Sequence, residues 1–175
     1  MNKISLIGIG KLGLCFALTL EKSGYDVMGC DINQEYIDAI NSKTLNSDEQ
    51  GVTEFLKQSE NLTATMNIQD CLEHSNMLFV LVATPSLPNG KYDHSQVDSV
   101  VEKLISFGKQ DQHKDFVICC TTMPEYCGTV QQKLAKYNYT VSYNPEFIAQ
   151  GTILRDQAQP SLVLIGEGSK RAGDK

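Results

Sequence analysis

The stretch that decides the fold is Ile4-Ser5-Leu6-Ile7-Gly8-Ile9-Gly10-Lys11-Leu12-Gly13, an apolar run followed at once by a glycine-rich turn. The run predicts a short buried strand, and the residues after the turn predict a helix. Gly8 permits the tight turn out of the strand, Gly10 lets the backbone approach a pyrophosphate, and Gly13 lets the helix pack close to the strand. This order is typical of a dinucleotide-binding βαβ unit. We name residues 8–13 the glycine loop.

A carboxylate at the end of the second predicted strand extends this interpretation. Asp31 follows Val27-Met28-Gly29-Cys30 and lies eighteen residues after Gly13. It can accept hydrogen bonds from the adenosine ribose hydroxyls and would repel a 2′-phosphate, so the pattern favours NAD over NADP. A glycine turn alone is weak evidence, but here strand, turn, helix and acid occur in the required order. The predicted cofactor-binding residues are Gly8, Ile9, Gly10, Lys11, Leu12, Gly13 and Asp31.

Composition and charge narrow the class of protein. The chain has 175 residues, 41% of them hydrophobic, which suits one globular domain with a substantial core. Its formal net charge is −6, with no basic block, which disfavours a nucleic-acid partner. No apolar run approaches the length of a membrane span, and the first twenty residues do not resemble a signal peptide. We expect a cytoplasmic domain without membrane contact.

The cysteines and histidines show no metal-ligand pattern. None of the six cysteines forms a CxxC pair, and we expect reduced, mostly buried thiols rather than disulfides or a metal site. The three histidines, His74, His94 and His113, occur in polar segments without a shared spacing and are interpreted as surface residues. No metal is predicted.

Strand and helix patterns alternate along the whole chain. Strands are predicted at 3–7, 26–31, 62–65, 77–83, 115–120, 139–142 and 161–165. Helices are predicted at 11–23, 33–41, 51–58, 68–74, 95–108 and 127–136, with a further helical turn beginning near Ser169. Continuous apolar runs among the strands fit a parallel sheet covered on both faces. The expected fold is α/β, a doubly wound Rossmann-like, mostly parallel sheet with helices on both faces.

Three predicted strand ends carry residues suited to a ligand, because open α/β sheets bind ligands at the carboxyl ends of their strands. The first is Val82-Ala83-Thr84-Pro85-Ser86, in which Thr84 offers a hydroxyl and Pro85 ends the strand. A proline that only ends the strand explains this segment equally well. The second is Cys120-Thr121-Thr122-Met123-Pro124, whose two hydroxyls can face a substrate or the nicotinamide. The alternative is that they cap the helix predicted from Cys127.

The third strand end is Tyr143-Asn144-Pro145-Glu146-Phe147-Ile148-Ala149-Gln150-Gly151, of which we name residues 144–151 the NPEF segment. Glu146 lies between a proline and a phenylalanine, directly after a predicted strand. Partial burial would raise its pKa, and such a carboxylate can act as a general base. The alternative is an acid at a helix start, stabilised by the helix dipole.

Together these motifs resemble the UDP-glucose/GDP-mannose dehydrogenase family, specifically its N-terminal NAD-binding domain, over essentially the whole chain. The glycine loop is similar to that of the family, residues 82–86 to its V-x-T-P-T segment, and residues 121–124 to its S-T-V-P segment. The NPEF segment is similar to N-P-E-F-L-x-E-G, and residues 160–166 to P-D-R-V-V-I-G. Several ordered motifs at suitable spacing make the resemblance specific.

The resemblance implies an activity and a set of site residues. Family members oxidise the 6-hydroxymethyl group of a nucleotide sugar to a carboxylate, using two NAD per turnover. By resemblance, Thr122 would position the reacting oxygen or a water, and Glu146 would act as the base in thioester hydrolysis. Together with Glu146, Phe147 and Ile148 would contact the UDP- or GDP-sugar. The cofactor set would extend to Thr84, Pro85, Thr121, Thr122 and Gln150.

The chain departs from the family pattern at several positions. Tyr36 stands where the family often has a basic residue, and Gln150 replaces a glutamate. Residues 125–127 lengthen the segment after Pro124. The family's nucleophile lies in a G-x-C-F-x-K-D segment, which these 175 residues do not contain. They also lack the family's central dimerisation helix and its C-terminal nucleotide-sugar domain. We therefore expect residues 1–175 to be an NAD-binding domain truncated from a longer, homodimeric enzyme and inactive alone.

Other functions stay open at this point. A stand-alone NAD-binding regulatory module would carry the same cofactor residues without chemistry. Another NAD dehydrogenase, of the 6-phosphogluconate or hydroxyacyl type, would share the fold but is not expected to carry the NPEF segment. Cys127 is a minor candidate for a local nucleophile, because a helix N-terminus can lower the pKa of a thiol.

Overall fold

A computed structural model describes residues 2–174 and shows, within that range, one parallel sheet of six strands. The strands are β1 (Lys3–Ile7), β2 (Asp26–Cys30), β3 (Leu62–Thr65), β4 (Met77–Val80), β5 (Lys114–Ile118) and β6 (Tyr139–Tyr143). Their order across the sheet is β3-β2-β1-β4-β5-β6, and every adjacent pair is parallel. The predicted doubly wound fold is confirmed, and the strand order reverses direction between β1 and β4.

Helices connect the strands and cover both faces of the sheet. They are α1 (Lys11–Lys22), α2 (Gln34–Asn41), α3 (Val52–Gln58), α4 (Ile68–His74), α5 (Ser95–Ser106), α6 (Tyr126–Leu134), α7 (Ile153–Ala158) and α8 (Lys170–Gly173), with a 3₁₀ turn at Ala135–Tyr137. One buried cluster joins α1, α2, α3 and α7 to one face, and a second joins α4, α5 and α6 to the other. Leu6 and Ile7 of β1 belong to different clusters, because successive side chains of a strand point to opposite faces.

Parallel pairing aligns the last residues of all six strands. Cys30 of β2 pairs with Ile7 of β1, which also pairs with Val80 of β4. Val80 in turn pairs with Ile118 of β5, which pairs with Tyr143 of β6. The segments that follow these residues therefore leave the sheet along one side, which we name the carboxyl edge. The glycine loop and the NPEF segment both begin there.

Helix α1 packs closely on the turn that follows β1. A side chain on Gly13 would place its Cβ 2.0 Å from the carbonyl oxygen of Gly8, so only glycine fits. Gly8 itself has φ +92°, and its Cβ would lie 2.6 Å from the carbonyl oxygen of Leu81. The N–H groups of Gly8 and Ile9 donate to the carbonyl oxygen of Cys30 at 2.8 and 3.1 Å. This packing holds the N-terminus of α1 at the carboxyl edge.

The C-terminal part of the chain differs from the prediction. The strand predicted at 161–165 is wrong: residues 162–165 are irregular and about half exposed, and a single antiparallel bridge joins Gly166 to Tyr143. The apolar composition predicts a buried strand, but within residues 2–174 no strand pairs with residues 162–165. Helix α7 lies outside the predicted elements, because six residues are too few to show a helical period. The predicted helical turn is confirmed as α8, whose first turn is capped by the Ser169 hydroxyl.

The six cysteines are free thiols, five of them buried and Cys127 partly buried. The prediction of surface histidines is wrong for His74, whose side chain is 7% exposed and whose Nε2 lies 3.1 Å from the carbonyl oxygen of Asp26. Among residues 2–174 there is no cluster of three or more His, Cys, Asp or Glu side chains that could hold a metal ion. The helices in that range are all too short or too polar to cross a membrane.

Substitution of Gly13 tests the close packing of α1. Gly13→Ala should lower the free energy of unfolding by about 1–3 kcal/mol, because the added methyl group must push α1 away from the Gly8 carbonyl. Urea unfolding followed by circular dichroism measures the change. Gly10→Ala is the control, since nothing lies within 4 Å of its Cβ position, and it should change stability by less than about 0.5 kcal/mol. Equal losses in both variants would contradict the packing argument.

Candidate functional site

The glycine loop presents the N-terminus of α1 at the carboxyl edge. The helix begins at Lys11, and within residues 2–174 no side chain caps it at Gly10. The N–H groups of a first helical turn lack partners inside the helix and carry partial positive charge. Space is open over Gly10, where an added Cβ would meet nothing within 4 Å. The loop therefore offers a positively polarised surface suited to a phosphate.

Asp31 lies beside the glycine loop, directly after β2. Its Oδ1 accepts the N–H groups of Ile32 at 2.8 Å and Asn33 at 3.2 Å, which fixes the orientation of the carboxylate. Ile32 is 92% exposed and offers an apolar surface next to that carboxylate. No sequence motif points to Ile32, because only its exposure distinguishes it from a core isoleucine.

A cavity of about 290 Å³ opens between the glycine loop and α2. Its lining comes from separate segments of the chain: Gly10, Lys11, Asp31, Asn33, Tyr36, Leu45, Asn46, Ser47 and Asp48. Burial raises the pKa of the Tyr36 phenol to about 12, so its hydroxyl is neutral at physiological pH. Residues 45–48 are a part of this wall that the sequence motifs do not indicate, since the loop between α2 and α3 has no recognisable pattern.

The ends of β4 and β5 place threonine hydroxyls at the same edge. Thr84 is half-buried and Pro85 is exposed. The carbonyl oxygen of Pro85 accepts the N–H of Asp93 at 2.8 Å, which closes the loop that follows β4. Thr121 is exposed and Thr122 is half-buried. The structure thus brings these four predicted residues to the carboxyl edge, after β4, which neighbours β1 in the sheet, and after β5, which neighbours β4.

The alternative that Thr121 and Thr122 cap the next helix is wrong. Helix α6 has Glu125 at its N-cap position, with φ +69°, and within the described part of the chain no side chain makes the capping bond. The segment after β5 is held instead by His94, whose Nε2 accepts the N–H of Met123 at 3.2 Å. The His94 ring also stacks on Tyr126, with 3.8 Å between ring centroids. Neither threonine side chain therefore caps the N-terminus of α6.

Cys127 lies in the first turn of α6 but lacks the electrostatic environment of a nucleophile. Burial raises the pKa of its thiol, whereas a nucleophilic cysteine needs a lowered pKa. A hydrogen bond with Thr122 opposes this shift without reversing it. The protonated thiol is therefore the stable form at neutral pH.

Glu146 is half-buried where the NPEF segment leaves β6. Burial raises the pKa of its carboxyl group, and a hydrogen bond from Gln157 of α7 opposes that shift. Gln157 Nε2 donates to Glu146 Oε2 at 3.3 Å, and Gln157 Oε1 accepts the hydroxyl of Thr19 in α1 at 3.3 Å. The interpretation of Glu146 as a helix-start acid is wrong, because α7 begins only at Ile153. A half-buried acid with a raised pKa is suited to proton transfer.

A cavity of about 510 Å³ lies beside Glu146. Its walls come from the NPEF segment and the residues around α7: Glu146, Phe147, Ile148, Ala149, Asp156, Gln159 and Ser161. Phe147 is half exposed, and Ile148 packs partly against the core. Gln150 is exposed on the turn before α7. The structure therefore brings the three predicted substrate-contacting residues to one cavity and leaves Gln150 on the surface.

A further cavity, of about 520 Å³, is lined mainly by residues at the amino ends of β1 and β4 and by the C-terminal segment, Lys3, Met77 and Gly173 among them. Ligands of open α/β sheets bind outside the carboxyl ends of the strands. We therefore assign the candidate site to the carboxyl edge, although this other cavity is as large.

Comparison with known proteins identifies the family. The model of the UDP-glucose/GDP-mannose dehydrogenase family, NAD binding domain, matches residues 2–175. The chain belongs to this family. It carries the family's NAD-binding domain, and the cofactor predicted from the glycine loop and Asp31 is confirmed as NAD.

Several of the relatives are dehydrogenases of nucleotide sugars. GDP-mannose 6-dehydrogenase of Pseudomonas aeruginosa is 28% identical over 187 residues, covering 98% of this chain and 42% of that protein. UDP-N-acetyl-D-mannosamine dehydrogenase of Methanococcus maripaludis is 30% identical over 176 residues, covering 98% and 40%. A crystal structure of a ternary complex of GDP-mannose dehydrogenase from P. aeruginosa has a TM-score of 0.88 at 27% identity, again covering 98% and 42%. The chain thus spans about two fifths of the length of these relatives.

The residues at the carboxyl edge fit NAD. A Cβ at Gly13 would collide with the Gly8 carbonyl, so the turn keeps its tight form, while the space over Gly10 admits a pyrophosphate. The uncapped N-terminus of α1 supplies N–H donors to that group. Asp31 Oδ1 is bonded to the backbone, and the second carboxylate oxygen is the acceptor that a ribose hydroxyl would use.

Removal of the Gln157 amide tests the environment of Glu146. Gln157→Leu should raise the pKa of Glu146 further, because burial then acts without the opposing hydrogen bond. NMR titration of the Glu146 carboxyl carbon measures the change, and the variant should titrate at higher pH than the wild type. Gln159→Leu, an exposed position on the same cavity, should leave the titration unchanged. A pKa that stays the same or falls in Gln157→Leu would show that the amide does not act on this carboxylate.

Proposed function

We propose that this chain supplies the NAD-binding part of a nucleotide-sugar 6-dehydrogenase, which oxidises the 6-hydroxymethyl group of a UDP- or GDP-sugar to a carboxylate. The observation that carries the proposal is the shared carboxyl edge, where the glycine loop and Asp31 lie on the same side of the sheet as Thr122 and the cavity at Glu146. The two named relatives, which act on a GDP-sugar and a UDP-sugar, support this substrate class.

The cofactor residues are proposed from their place at this edge and from the family motifs. Oxidation of a primary alcohol to a carboxylate removes two hydrides and adds one oxygen from water, so two NAD are used per sugar. When bound, NAD accepts the hydride. We assign its binding to Gly8, Ile9, Gly10, Lys11, Leu12, Gly13, Asp31, Thr84, Pro85, Thr121, Thr122 and Gln150. To these we add Ile32, whose exposed side chain offers an apolar surface to the adenine.

The substrate residues are proposed to act on the other side of the site. Glu146 would serve as general base for the hydrolytic step, because its half-buried carboxyl group has a raised pKa and faces a cavity. The Thr122 hydroxyl, beyond the end of β5, would position the reacting oxygen or a water. Phe147 and Ile148 would contact the nucleotide sugar along the same cavity. Gln150 is an amide and does not titrate, so Glu146 is the acid of the NPEF segment.

The complete reaction is proposed to take place in a longer, homodimeric enzyme. The family resemblance implies a thioester on a cysteine, in a sequence segment that residues 1–175 do not contain. Cys127, with its raised pKa, is unsuited to replace that cysteine. Residues 1–175 would therefore bind NAD without sustained turnover.

A binding and turnover assay tests this function. Residues 1–175 should bind NAD in isothermal titration calorimetry but form no sustained NADH with UDP-glucose, UDP-N-acetylhexosamines or GDP-mannose. Sustained NADH formation would contradict the need for a further segment. A reading frame that continues into a G-x-C-F-x-K-D segment would support the enzyme, whereas a natural stop after Lys175 would favour a stand-alone NAD-binding module instead.

Substitution of Asp31 tests the choice of cofactor. Asp31→Asn should weaken NAD binding about tenfold, because a charge-assisted hydrogen bond to the ribose becomes a neutral one. The same change should reduce the difference in affinity between NAD and NADP, because the 2′-phosphate of NADP would no longer lie beside a carboxylate. Calorimetric affinities for both dinucleotides measure these effects, with Glu35→Gln, an exposed acid on α2, as the control. A wild-type chain that binds NADP as tightly as NAD would contradict the role of Asp31.

A further inference from the structure

Glu49 is a buried carboxylate in the loop between α2 and α3, with only 2% of the residue exposed. Local bonds fix the loop around it. The Ser47 hydroxyl accepts the N–H of Glu49 at 3.1 Å, and the Thr53 hydroxyl accepts the N–H of Ser47 at 3.0 Å. The Glu49 side chain is thereby directed into the interior, where an ionised group is costly unless several donors surround it.

Three donors from distant parts of the chain surround this carboxylate. The N–H of Gly151 lies 2.7 Å from Oε1 and 2.8 Å from Oε2, and the N–H of Ile153 lies 3.4 Å from Oε2. The Lys11 ammonium lies 3.6 Å from Oε1. The bond from Gly151, with help from the other two donors, holds the pKa of Glu49 below its ordinary value despite burial. Glu49 is therefore an anion at neutral pH.

We propose that Glu49 is a positioning residue that fixes the NPEF segment and α7 relative to the glycine loop. Lys11 belongs to the glycine loop and is the first residue of α1. Gly151 ends the NPEF segment, and Ile153 begins α7. One carboxylate thus connects the cofactor side of the site to the side that holds Glu146. The functional part of this inference rests on the function proposed above.

The influence of Glu49 reaches Glu146 through α7. This helix begins at the N–H that Glu49 accepts, and one turn later it carries Gln157, which donates to the Glu146 carboxylate. Thr19 of α1 holds the same Gln157 amide from its other side. Loss of the Glu49 charge would release the first turn of α7 and with it the donor to Glu146. A residue that only stabilised the core would leave the titration of Glu146 unchanged in a folded protein.

Lys11 links the Glu49 carboxylate to the cofactor side of the site. Its side chain is 45% exposed and lines the cavity that also contains Asp31. A pyrophosphate at the glycine loop would attract the same ammonium that pairs with Glu49. Occupancy of the loop therefore changes the charge around the carboxylate that anchors Gly151. The two sides of the site are in this way coupled through one ion pair.

Glu49→Gln tests the proposal in the absence of NAD. Hydrogen exchange at the amides of Gly151 and Ile153 should accelerate about tenfold or more relative to the strand amides, because the charged acceptor is lost. Glu146 should titrate at higher pH, in the direction expected for Gln157→Leu. Glu54→Gln, an exposed acid on α3, is the matched control and should change neither readout.

A second measurement adds the cofactor. NAD should alter exchange at the Gly151 amide in the wild type, and Lys11→Met should remove that NAD-dependent change. Normal Gly151 exchange together with normal Glu146 titration in folded Glu49→Gln would overturn the positioning role. If Glu49→Gln does not fold, Glu49→Asp replaces it, because the shorter side chain draws the carboxylate back from Gly151. Glu49→Asp should then show faster exchange at Gly151 and titration of Glu146 at higher pH, each to a smaller extent. Wild-type exchange together with wild-type titration in Glu49→Asp would overturn the proposal. Calorimetry of NAD binding to the wild type tests the proposed function separately, since the NAD-free readouts decide the role of Glu49 alone.

Discussion

The contact between Gly13 and Gly8 is the constraint on which the site depends. The backbone of α1 lies against the turn after β1 with no room for a methyl group, so the helix N-terminus is held at the carboxyl edge. This places Lys11 within reach of the buried carboxylate of Glu49 and places Thr19, two turns further along the helix, beside α7. A single close approach therefore orients both the N-terminus of α1 and the face that supports the NPEF segment.

Three carboxylates at this edge differ in burial and in the donors around them. Asp31 is partly exposed and fixed through one oxygen by two backbone N–H groups, which leaves its other oxygen for a ligand. Glu49 is buried among three donors and stays ionised, which suits a structural anion. Glu146 is half-buried with a single amide donor and a raised pKa, which suits proton transfer. The same functional group thus supports three tasks because its surroundings differ.

Local patterns predicted the sheet, its connecting helices and the nucleotide loop, since glycine spacing and apolar periodicity are contained in short stretches of chain. The sequence does not indicate the role of Glu49, because its partners, Lys11 and Gly151, are far from it in sequence and only the fold brings them together. Residues 162–165 have the composition of a strand, but a strand also needs a pairing partner, which composition does not reveal. The surface prediction for His74 is wrong for a similar reason, because its polar sequence neighbours do not indicate that its ring is buried beside the carbonyl oxygen of Asp26 in β2.

The place where the strand order reverses has a thermodynamic consequence. Ser5 of β1 pairs with Leu78 of β4, so the centre of the sheet joins residues that are distant along the chain. A partly folded chain in which these strands are unpaired lacks the complete carboxyl edge, even if the glycine loop has formed. The dinucleotide therefore binds the completed sheet in preference to any open form. By mass action, a cellular pool of NAD above the dissociation constant protects the domain against unfolding.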